Sequence, residues 1–202
     1  MNYTGPKVRL SRALGVALTP KAAKIMETKG YPPGQHGPDV RRRRRVSGYK
    51  AQLLEKQRLR FQYNVHERQM RTYYKRAARA KGNTGDVLVG LLETRLDAVI
   101  LRAGLARTIY AARQYVSHGH VVVDGERVDR PGFTVKPGNV VAIRKRSQKI
   151  LCFREALDTS PNAPDYLTVD KDAMTVRLER RPVREEVPVI CDVARVIEFY
   201  SR

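Results

Sequence analysis

Apolar residues in the middle of the chain follow a helical spacing. Five of them recur at intervals of three and four, namely Leu92, Leu96, Val99, Ile100 and Ala103. This spacing predicts one amphipathic helix that ends at Gly104. A second helix is predicted after it, with Thr108 as the N-cap and a stop at Gly119. Its buried face is predicted to carry Ile109, Ala112 and Val116.

The pattern then changes to alternation, which is typical of strands. The stretch "HVVVDGERV" predicts a hairpin in which Asp124 and Gly125 form a two-residue type I′ turn. "KPGN" suits a type II turn, with Pro137 second and Gly138 third, and leads into the strand "VVAI". Two helices on a small antiparallel sheet make an α+β module, and α+β is the predicted fold class.

The first ninety residues have a different character. Residues 1–47 read as a basic arm with few strong elements, except a helix over 20–28 with Thr19 as N-cap and an irregular Gly- and Pro-rich loop over 30–37. Helices are predicted near 48–62 and 65–81. Between them, Asn64 is the predicted N-cap, and Glu67 lies three positions later at capping-box spacing.

After the module, a loop is predicted over 158–170 and a hairpin around residues 170–173. A final helix is predicted with Asp192 as its N-cap, and it carries Val193, Val196, Ile197 and Tyr200 at helical spacing. The predicted organisation is therefore a basic arm (1–47), a helical region (48–90), the α+β module (91–155), and a last segment (156–202) whose hairpin and helix pack on the helical region.

Charge restricts the classes of partner. The chain has 40 Lys and Arg against 20 Asp and Glu, a net charge of +20. Residues 1–90 alone hold 21 of these cations and 5 of the acids. Nucleic acid is the favoured partner and an anionic membrane surface the second. No apolar run approaches the roughly 20 residues that span a bilayer, and the N-terminus does not resemble a signal peptide. Two cysteines indicate a reducing cytoplasm.

Two basic groups stand out. The first is an arginine run, Arg41, Arg42, Arg43, Arg44 and Arg45. A solvated tail and a nuclear-targeting signal are alternatives for it, but its internal position favours a bound phosphate backbone. The second lies on one face of the 65–81 helix and consists of Arg68, Arg71, Lys75 and Arg79. Only Glu67 offers an opposing charge there, so a nucleic-acid surface is favoured over a solvated face.

Catalytic and metal chemistry find no support. Ser117 and His118 are consecutive at a helix end, so their side chains diverge by about 100° and do not form a triad with Asp124. His118 and His120 are too few ligands for a metal site. We therefore predict no catalytic residues, no metal and no cofactor. The histidines are interpreted as polar groups at a helix–strand corner. Two alternatives remain for the neighbouring Arg107 and Arg113: they bind phosphates, or the apolar parts of their side chains cover the sheet edge.

The residues resemble a known family. "RLD", "ARQ", "HGH" with the following "V.G", and "V.PG" resemble the S-four (S4) RNA-binding module, which pseudouridine synthases and a tyrosyl-tRNA synthetase appendage also carry. Other stretches resemble bacterial ribosomal protein S-four over nearly the full length: "TGPKVRLSR", "PPGQHG", "LLEKQRLRFQYNVHERQMRTYY", "KGNTGD" and "VIEFYSR".

The resemblance implies a structural protein of the small ribosomal subunit in the cytoplasm, not an enzyme and not a homo-oligomer. Implied partners are the 5′ domain of 16S rRNA, whose assembly the protein nucleates, ribosomal protein S-five, through which it influences decoding accuracy, and mRNA near its entry path. A free translational regulator is the alternative. A stand-alone RNA-modifying enzyme would need a catalytic domain that residues 1–90 do not resemble.

Carried over to this sequence, the resemblance and the charge pattern together predict a set of RNA-contacting residues. They are Arg41, Arg42, Arg43, Arg44, Arg45, Lys50, Lys56, Arg58, Arg60, Arg68, Arg71, Lys75, Arg76, Arg79, Arg95, Arg107, Arg113, His118 and His120.

Four positions depart from the family pattern. Some members carry zinc-binding cysteines where Val8 and Ser11 stand, so the arm is expected to fold without metal. Ile109 and Ser117 occupy places where arginines are usual. The second helix of the module is therefore not expected to be the dominant RNA contact.

Overall fold

The computed structural model describes residues 3–35, 37–38, 47–159 and 162–201. The chain forms two compact units: unit 1 consists of residues 1–85 and 189–202, and unit 2 of residues 86–188. Its described helices are α1 (Lys7–Leu14), α2 (Pro20–Thr28), α3 (Gly48–Gln62), α4 (Glu67–Arg79), α5 (Thr84–Glu93), α6 (Leu96–Arg102), α7 (Ile109–Ser117), α8 (Leu151–Thr159) and α9 (Val193–Ser201). The strands are β1 (Val121–Val123), β2 (Glu126–Arg127), β3 (Val140–Ile143), β4 (Leu167–Asp170) and β5 (Thr175–Leu178).

The helices predicted for unit 1 are present, but one predicted cap is wrong. The predicted helix over 20–28 is confirmed as α2, where the Thr19 side chain accepts a hydrogen bond from the Ala22 N–H. The predicted N-cap at Asn64 is wrong. Asn64 has a left-handed φ of 46° in the turn between α3 and α4, and α4 starts later, after His66. The His66 N–H donates to the Gln69 side chain instead.

The basic arm contains a helix that the sequence did not predict, α1. Its buried Ser11 donates a hydrogen bond to the Lys7 carbonyl (2.9 Å) and accepts one from the Leu18 N–H (3.3 Å). These bonds tie the helix to the chain that leaves it. A hydroxyl therefore organises this part of the arm locally.

Unit 1 closes with the last helix of the chain. The Asp192 side chain caps α9 by accepting hydrogen bonds from the backbone of Ala194 and Arg195, as predicted. α9 packs against α3 and α4, and Val196 is fully buried. On α3, Gln52 donates to the Glu198 carboxylate at 2.9 Å. Two segments far apart in sequence therefore share one core.

Unit 2 is built on a five-stranded antiparallel sheet in the order β2-β1-β3-β5-β4. The predicted type I′ turn is confirmed, because Asp124 and Gly125 both have positive φ, 50° and 86°. A hairpin forms where one was predicted, around residues 170–173, from β4 and β5. Its predicted packing on the helical region is wrong, because β5 pairs with β3 and the hairpin belongs to unit 2. One sheet face is buried against α6, α7 and α8. The α+β fold class is thus confirmed.

The single helix predicted to end at Gly104 is wrong, because the chain leaves the helical path between α5 and α6. Arg95 pairs with Thr134 as an isolated bridge, and the Leu96 N–H donates to the Phe133 carbonyl at 2.8 Å. The five apolar residues that suggested one helix are nevertheless all buried. Their spacing indicated burial correctly, while the break depends on a partner about forty residues away.

The loop predicted over 158–170 begins later than expected. Its first residues belong to α8, whose Phe153, Ala156 and Leu157 point into the core. The i, i+3, i+4 spacing of these three residues was the available signal for this helix.

None of the described helices combines the length and the apolar character that a membrane-spanning helix needs.

Candidate nucleic-acid interface

The outer side of α4 presents a row of cations, which we call the α4 stripe: Arg68, Arg71, Lys75, Arg76 and Arg79. All five lie on the outer surface, while Met70, Tyr73 and Ala77 on the opposite side are buried. Arg71 lies 4.0 Å from the Glu67 carboxylate. In the part of the chain that the structure describes, no carboxylate lies within 4 Å of the other four. The α4 stripe is therefore a surface of nearly uncompensated positive charge.

Glu67, the one acid on α4, is directed towards the interior of unit 1. Its carboxylate accepts hydrogen bonds from Lys56 Nζ (2.9 Å) and the Tyr200 hydroxyl (2.8 Å), and Arg60 lies at 3.6 Å. Burial acts to raise the pKa of this carboxyl, but the bonds from Lys56 and Tyr200 outweigh it and hold the pKa below its usual value. Glu67 thus joins α3, α4 and α9 and does little to neutralise the stripe.

The predicted contact residues on α3 divide by burial. Lys50 is exposed near the start of the helix. Lys56 is only 5% exposed, and its ammonium lies between Glu67 and the Phe199 ring, 4.8 Å from the ring centroid. Arg58 and Arg60 are half-buried: Arg58 binds Glu55 and the Leu14 carbonyl, and Arg60 stacks on Phe61. Of these four, Lys50 has the charge most available to an external ligand.

In unit 2, Arg95 is inside the protein. It is 1% exposed and makes two hydrogen bonds to the Asp97 carboxylate, at 2.9 and 2.6 Å. Arg113 lies 3.8 Å from the same carboxylate and is half-buried. Burial raises the pKa of Asp97, and the two guanidinium groups act against that shift. The Arg95–Asp97 ion pair fixes the start of α6, and Arg113 adds a second positive charge beside the Asp97 carboxylate.

Two further predicted residues lie around the ends of α7. Arg107 is exposed one residue before Thr108, whose side chain caps the helix by accepting from the Ala111 N–H at 3.1 Å. At the other end His118 is exposed, and its ring lies 6.1 Å from that of His120. Both ends therefore offer groups suited to phosphate, a guanidinium at one and imidazoles at the other.

His120 is half-buried at the corner between α7 and β1. Its Nδ1 is 2.9 Å from the Ser147 hydroxyl, and its ring packs edge-on against Phe153. Burial, with His118 and Arg144 nearby, lowers the pKa of His120. Asp124, which could have suggested a triad, accepts from the Val140 N–H at 2.8 Å and belongs to the hairpin turn.

The arginine run predicted to bind phosphate, Arg41, Arg42, Arg43, Arg44 and Arg45, lies outside the described residues. The described residues contain no group of three or more His, Cys, Asp or Glu placed to hold a metal ion.

The structure also places exposed cations where the sequence reasoning proposed none, beside the His118–His120 corner. The Arg144 side chain donates to the Gly119 carbonyl at 3.2 Å, and its backbone N–H donates to the His120 carbonyl at 2.9 Å. Three further exposed cations lie close to this corner. Lys145 and Arg146 follow Arg144 in the chain, and the Arg127 guanidinium lies against Gly119. The stretch "RKRSQK", with four cations in six residues, was the signal that could have identified them.

Comparisons with known proteins identify relatives of this chain along its whole length. Residues 2–93 match the family model described as "Ribosomal protein S4/S9 N-terminal domain", and residues 94–141 match the one described as "S4 domain". The chain is 53% identical over 205 residues to small ribosomal subunit protein uS4 of Streptomyces griseus subsp. griseus, covering 100% of this chain and 99% of that protein.

Two further relatives bear the same name, small ribosomal subunit protein uS4. The protein of Leifsonia xyli subsp. xyli is 51% identical over 200 residues, covering 96% of both chains. The protein of Thermobifida fusca is 46% identical over 205 residues, covering 100% of both. The similarity therefore extends through both structural units.

Proposed function

This chain belongs to the ribosomal protein S4 family, and from that premise we propose that it binds the 5′ domain of 16S rRNA and nucleates assembly of that domain. Family membership shows that the chain is a structural, non-enzymatic protein of the small ribosomal subunit that binds rRNA. The prediction that it is not an enzyme is confirmed by that membership.

The α4 stripe is the observation that carries the proposed contact. Phosphate contacts need cations that are exposed, close together and free of competing carboxylates, because each contact gains free energy by releasing counterions from the RNA. Four of the five cations of the α4 stripe meet all these conditions, and the fifth, Arg71, lies 4.0 Å from Glu67, whose carboxylate is bonded to Lys56 and Tyr200. Unit 1 as a whole carries 23 Lys and Arg against 6 Asp and Glu.

The proposed contact set is narrower than the sequence prediction. It contains the α4 stripe, Lys50, Arg107 and His118, which are exposed, with Arg113 and His120 at the edge of the second unit's surface. Lys56 and Arg95 are left out because each is buried against a carboxylate. The arginine run at 41–45 stays in the proposal on its sequence alone.

The test is salt-dependent binding of the full chain to a folded 16S 5′-domain fragment. Replacing Arg68, Arg71, Lys75 and Arg79 with Gln should reduce the slope of log affinity against log salt by up to about 4, one unit for each phosphate that is no longer bound. An unchanged slope would mean that the α4 stripe faces solvent or protein.

A matched control removes the same number of charges elsewhere. Arg130, Arg154, Lys171 and Arg181 are four exposed cations of unit 2. Their joint replacement with Gln should change the slope less, since they do not lie on the proposed surface. Equal affinity of the unaltered chain for the fragment and for random RNA of the same length would overturn the proposal of a specific rRNA site.

Contact with ribosomal protein S-five, an influence on decoding accuracy, and a position beside the mRNA entry path are further parts of the proposal that rest on family membership. Co-sedimentation with small subunits followed by crosslink mapping on RNA and protein tests them together. Recovery of the chain mainly away from ribosomes in a sucrose gradient would favour the alternative of a free translational regulator.

A further inference from the structure

The outward face of the unit 2 sheet contains an open groove of about 670 Å³, which we call the β3 groove. It is lined by Val122, Ala142, Ile143, Arg144, Lys145, Arg146, Gln148, Ala173 and Thr175. Its floor is a row of half-buried side chains on paired strands, since Val122 pairs with Ala142 and Ala142 with Thr175. The neighbouring residues on the same strands face the core. The groove is therefore shallow, and small side chains leave it open.

Cations line one wall of this groove. Arg144, Lys145 and Arg146 follow β3 directly and are exposed. Among the residues that the structure describes, no carboxylate lies within 4 Å of any of the three. On the opposite side, the Asp170 carboxylate accepts hydrogen bonds from the backbone of its own turn, at Asp172 and Ala173. The wall keeps its positive charge.

This concentration of positive charge is unusual for unit 2, which is otherwise close to neutral. The unit carries 17 Lys and Arg against 14 Asp and Glu, but residues 144–149 hold four of those cations and no acid. The surplus of the unit is therefore gathered in one stretch that includes the groove wall. A solvated surface of mixed charge does not account for this segregation.

Hydrogen bonds hold the wall in place. Gln148 Nε2 donates to the carbonyls of Ile143 and Ala173, both at 3.0 Å, and so joins the end of β3 to the β4–β5 turn. Arg144 is fixed by its bonds to Gly119 and His120. Groups that are ordered before a ligand arrives lose less entropy when it binds.

Arg127 extends the charge across the floor. It pairs with Val122 on β1, so it continues the row formed by Val122, Ala142 and Thr175. Its guanidinium lies against Gly119, where a Cβ would come within 2.4 Å of Arg127 Nε. Gly119 therefore leaves room for this cation close to Arg144, which donates to the Gly119 carbonyl.

We propose that the β3 groove binds the phosphate backbone of an RNA segment, as a contact of unit 2 separate from the α4 stripe. This inference rests on the proposed rRNA-binding function and deepens it. An open groove with several exposed cations suits an extended polyanion. Its lining residues, all within the described part of the chain, include no aromatic ring on which a base could stack. The backbone is consequently recognised through charge and not through base sequence.

The experiment uses the full chain with the 16S 5′-domain fragment. Lys145→Gln and Arg146→Gln together should lower the salt slope by about 2. The loss of affinity between 50 and 200 mM salt should then be smaller by about 16-fold than for the unaltered chain. Arg144 is left intact because it also supports the turn at Gly119.

The control variant replaces Lys136 and Arg181 with Gln. These two exposed cations line a different pocket of the same unit, so the charge change is identical but lies outside the groove. The inference expects their effect on the slope to be clearly smaller. Equal effects of the two double variants would overturn it, since only net charge would then matter.

A third variant blocks the groove without removing a cation. Ala173 is exposed at its edge, and Ala173→Glu brings a carboxylate towards the wall. This change should also weaken binding and lower the slope, while circular dichroism stays unchanged. If the unaltered chain binds the fragment and no groove variant changes the affinity or the slope, the proposal that the β3 groove binds RNA is overturned. The proposed α4 contact would then still stand, and an acidic protein would be the remaining candidate ligand of the groove. Failure of the unaltered chain to bind the fragment would overturn the proposed function itself.

Discussion

Lys50 and Lys56 show how one residue type serves two purposes on one helix. Both belong to α3, but Lys50 is exposed and Lys56 is buried against Glu67 and the Phe199 ring. An exposed ammonium is available to a phosphate, whereas a buried one stabilises the fold through its partner. Substitution by methionine, which keeps most of the stem and removes the charge, separates these roles.

We predict that Lys56→Met lowers the free energy of unfolding by about 2 kcal/mol, less than for a fully buried pair because Glu67 stays partly hydrated. It should leave the salt slope of RNA binding unchanged. Lys50→Met should do the reverse: no measurable loss of stability and a slope reduced by about 1. Urea unfolding and binding titrations measure the two quantities. A lower slope for Lys56→Met would show that its ammonium reaches the RNA.

Gly119 and Gly125 form a second informative pair. Both have left-handed φ, 74° and 86°, which a Cβ strains, but only the Cβ at Gly119 would meet another group, Arg127. Arg127 is exposed and flexible, so it can move aside at little cost.

Each Gly→Ala change is therefore predicted to lower the free energy of unfolding by about 1 kcal/mol through backbone strain. Only Gly119→Ala should also reduce the salt slope of RNA binding, by up to about 1, because it displaces Arg127. Arg127→Gln should reproduce that reduction without loss of stability. Identical slopes for the two alanine variants would contradict the position assigned to Arg127.

At the scale of elements, the position of α4 depends on its half-buried acid, Glu67. Glu67 connects α4 to Lys56 on α3 and to Tyr200 on α9, and Tyr74 stacks on the Tyr200 ring at 5.1 Å. The same contacts that keep the carboxylate away from the α4 stripe hold the helix against its neighbours. Stability of the helix and exposure of its cations therefore share one cause.

The lowered pKa of Glu67 gives this connection a pH dependence. Because the folded pKa lies below the ordinary value of 4.5, the stabilisation is present above that value and is lost as pH falls through the folded pKa. Glu67→Gln should be less stable than the unaltered chain at neutral pH, and the difference should shrink below about pH 4.5. Urea unfolding at a series of pH values measures it. A difference that is constant with pH would mean that the charge on Glu67 is not involved.

At the scale of the molecule, the two units differ in how the chain builds them. Unit 2 is continuous, residues 86–188, and has its own sheet and core. Unit 1 needs residues 189–202, because α9 covers α3 and buries Val196. They also differ in charge, since almost the whole surplus of the chain belongs to unit 1.

We predict that a fragment of residues 86–188 folds cooperatively by itself, whereas removal of residues 189–202 from the full chain destabilises unit 1 and leaves unit 2 intact. The reason is that α9 supplies the apolar surface that covers α3, and its removal exposes that surface to water. Hydrogen exchange resolved by segment distinguishes the units. Loss of protection throughout unit 2 after this truncation would contradict the prediction.

Local patterns in the sequence were sufficient wherever a structure depends on neighbouring residues. The cap at Thr19, the turn at Asp124 and Gly125, the cap at Asp192 and the spacing of cations on α4 were all predictable, because each depends on contacts within a few positions. The family resemblance was also carried by the sequence, through motifs distributed over both units.

Tertiary structure alone decided what depends on distant partners. The break between α5 and α6 needs Phe133 and Thr134, the burial of Lys56 needs Glu67 and Phe199, and the β3 groove forms only once β5 pairs with β3. A sequence shows that a residue is charged, but its environment determines whether that charge meets a carboxylate inside the protein or a phosphate outside it. Charge and the family motifs thus indicated an RNA-binding protein, and packing determined which of its cations remain exposed.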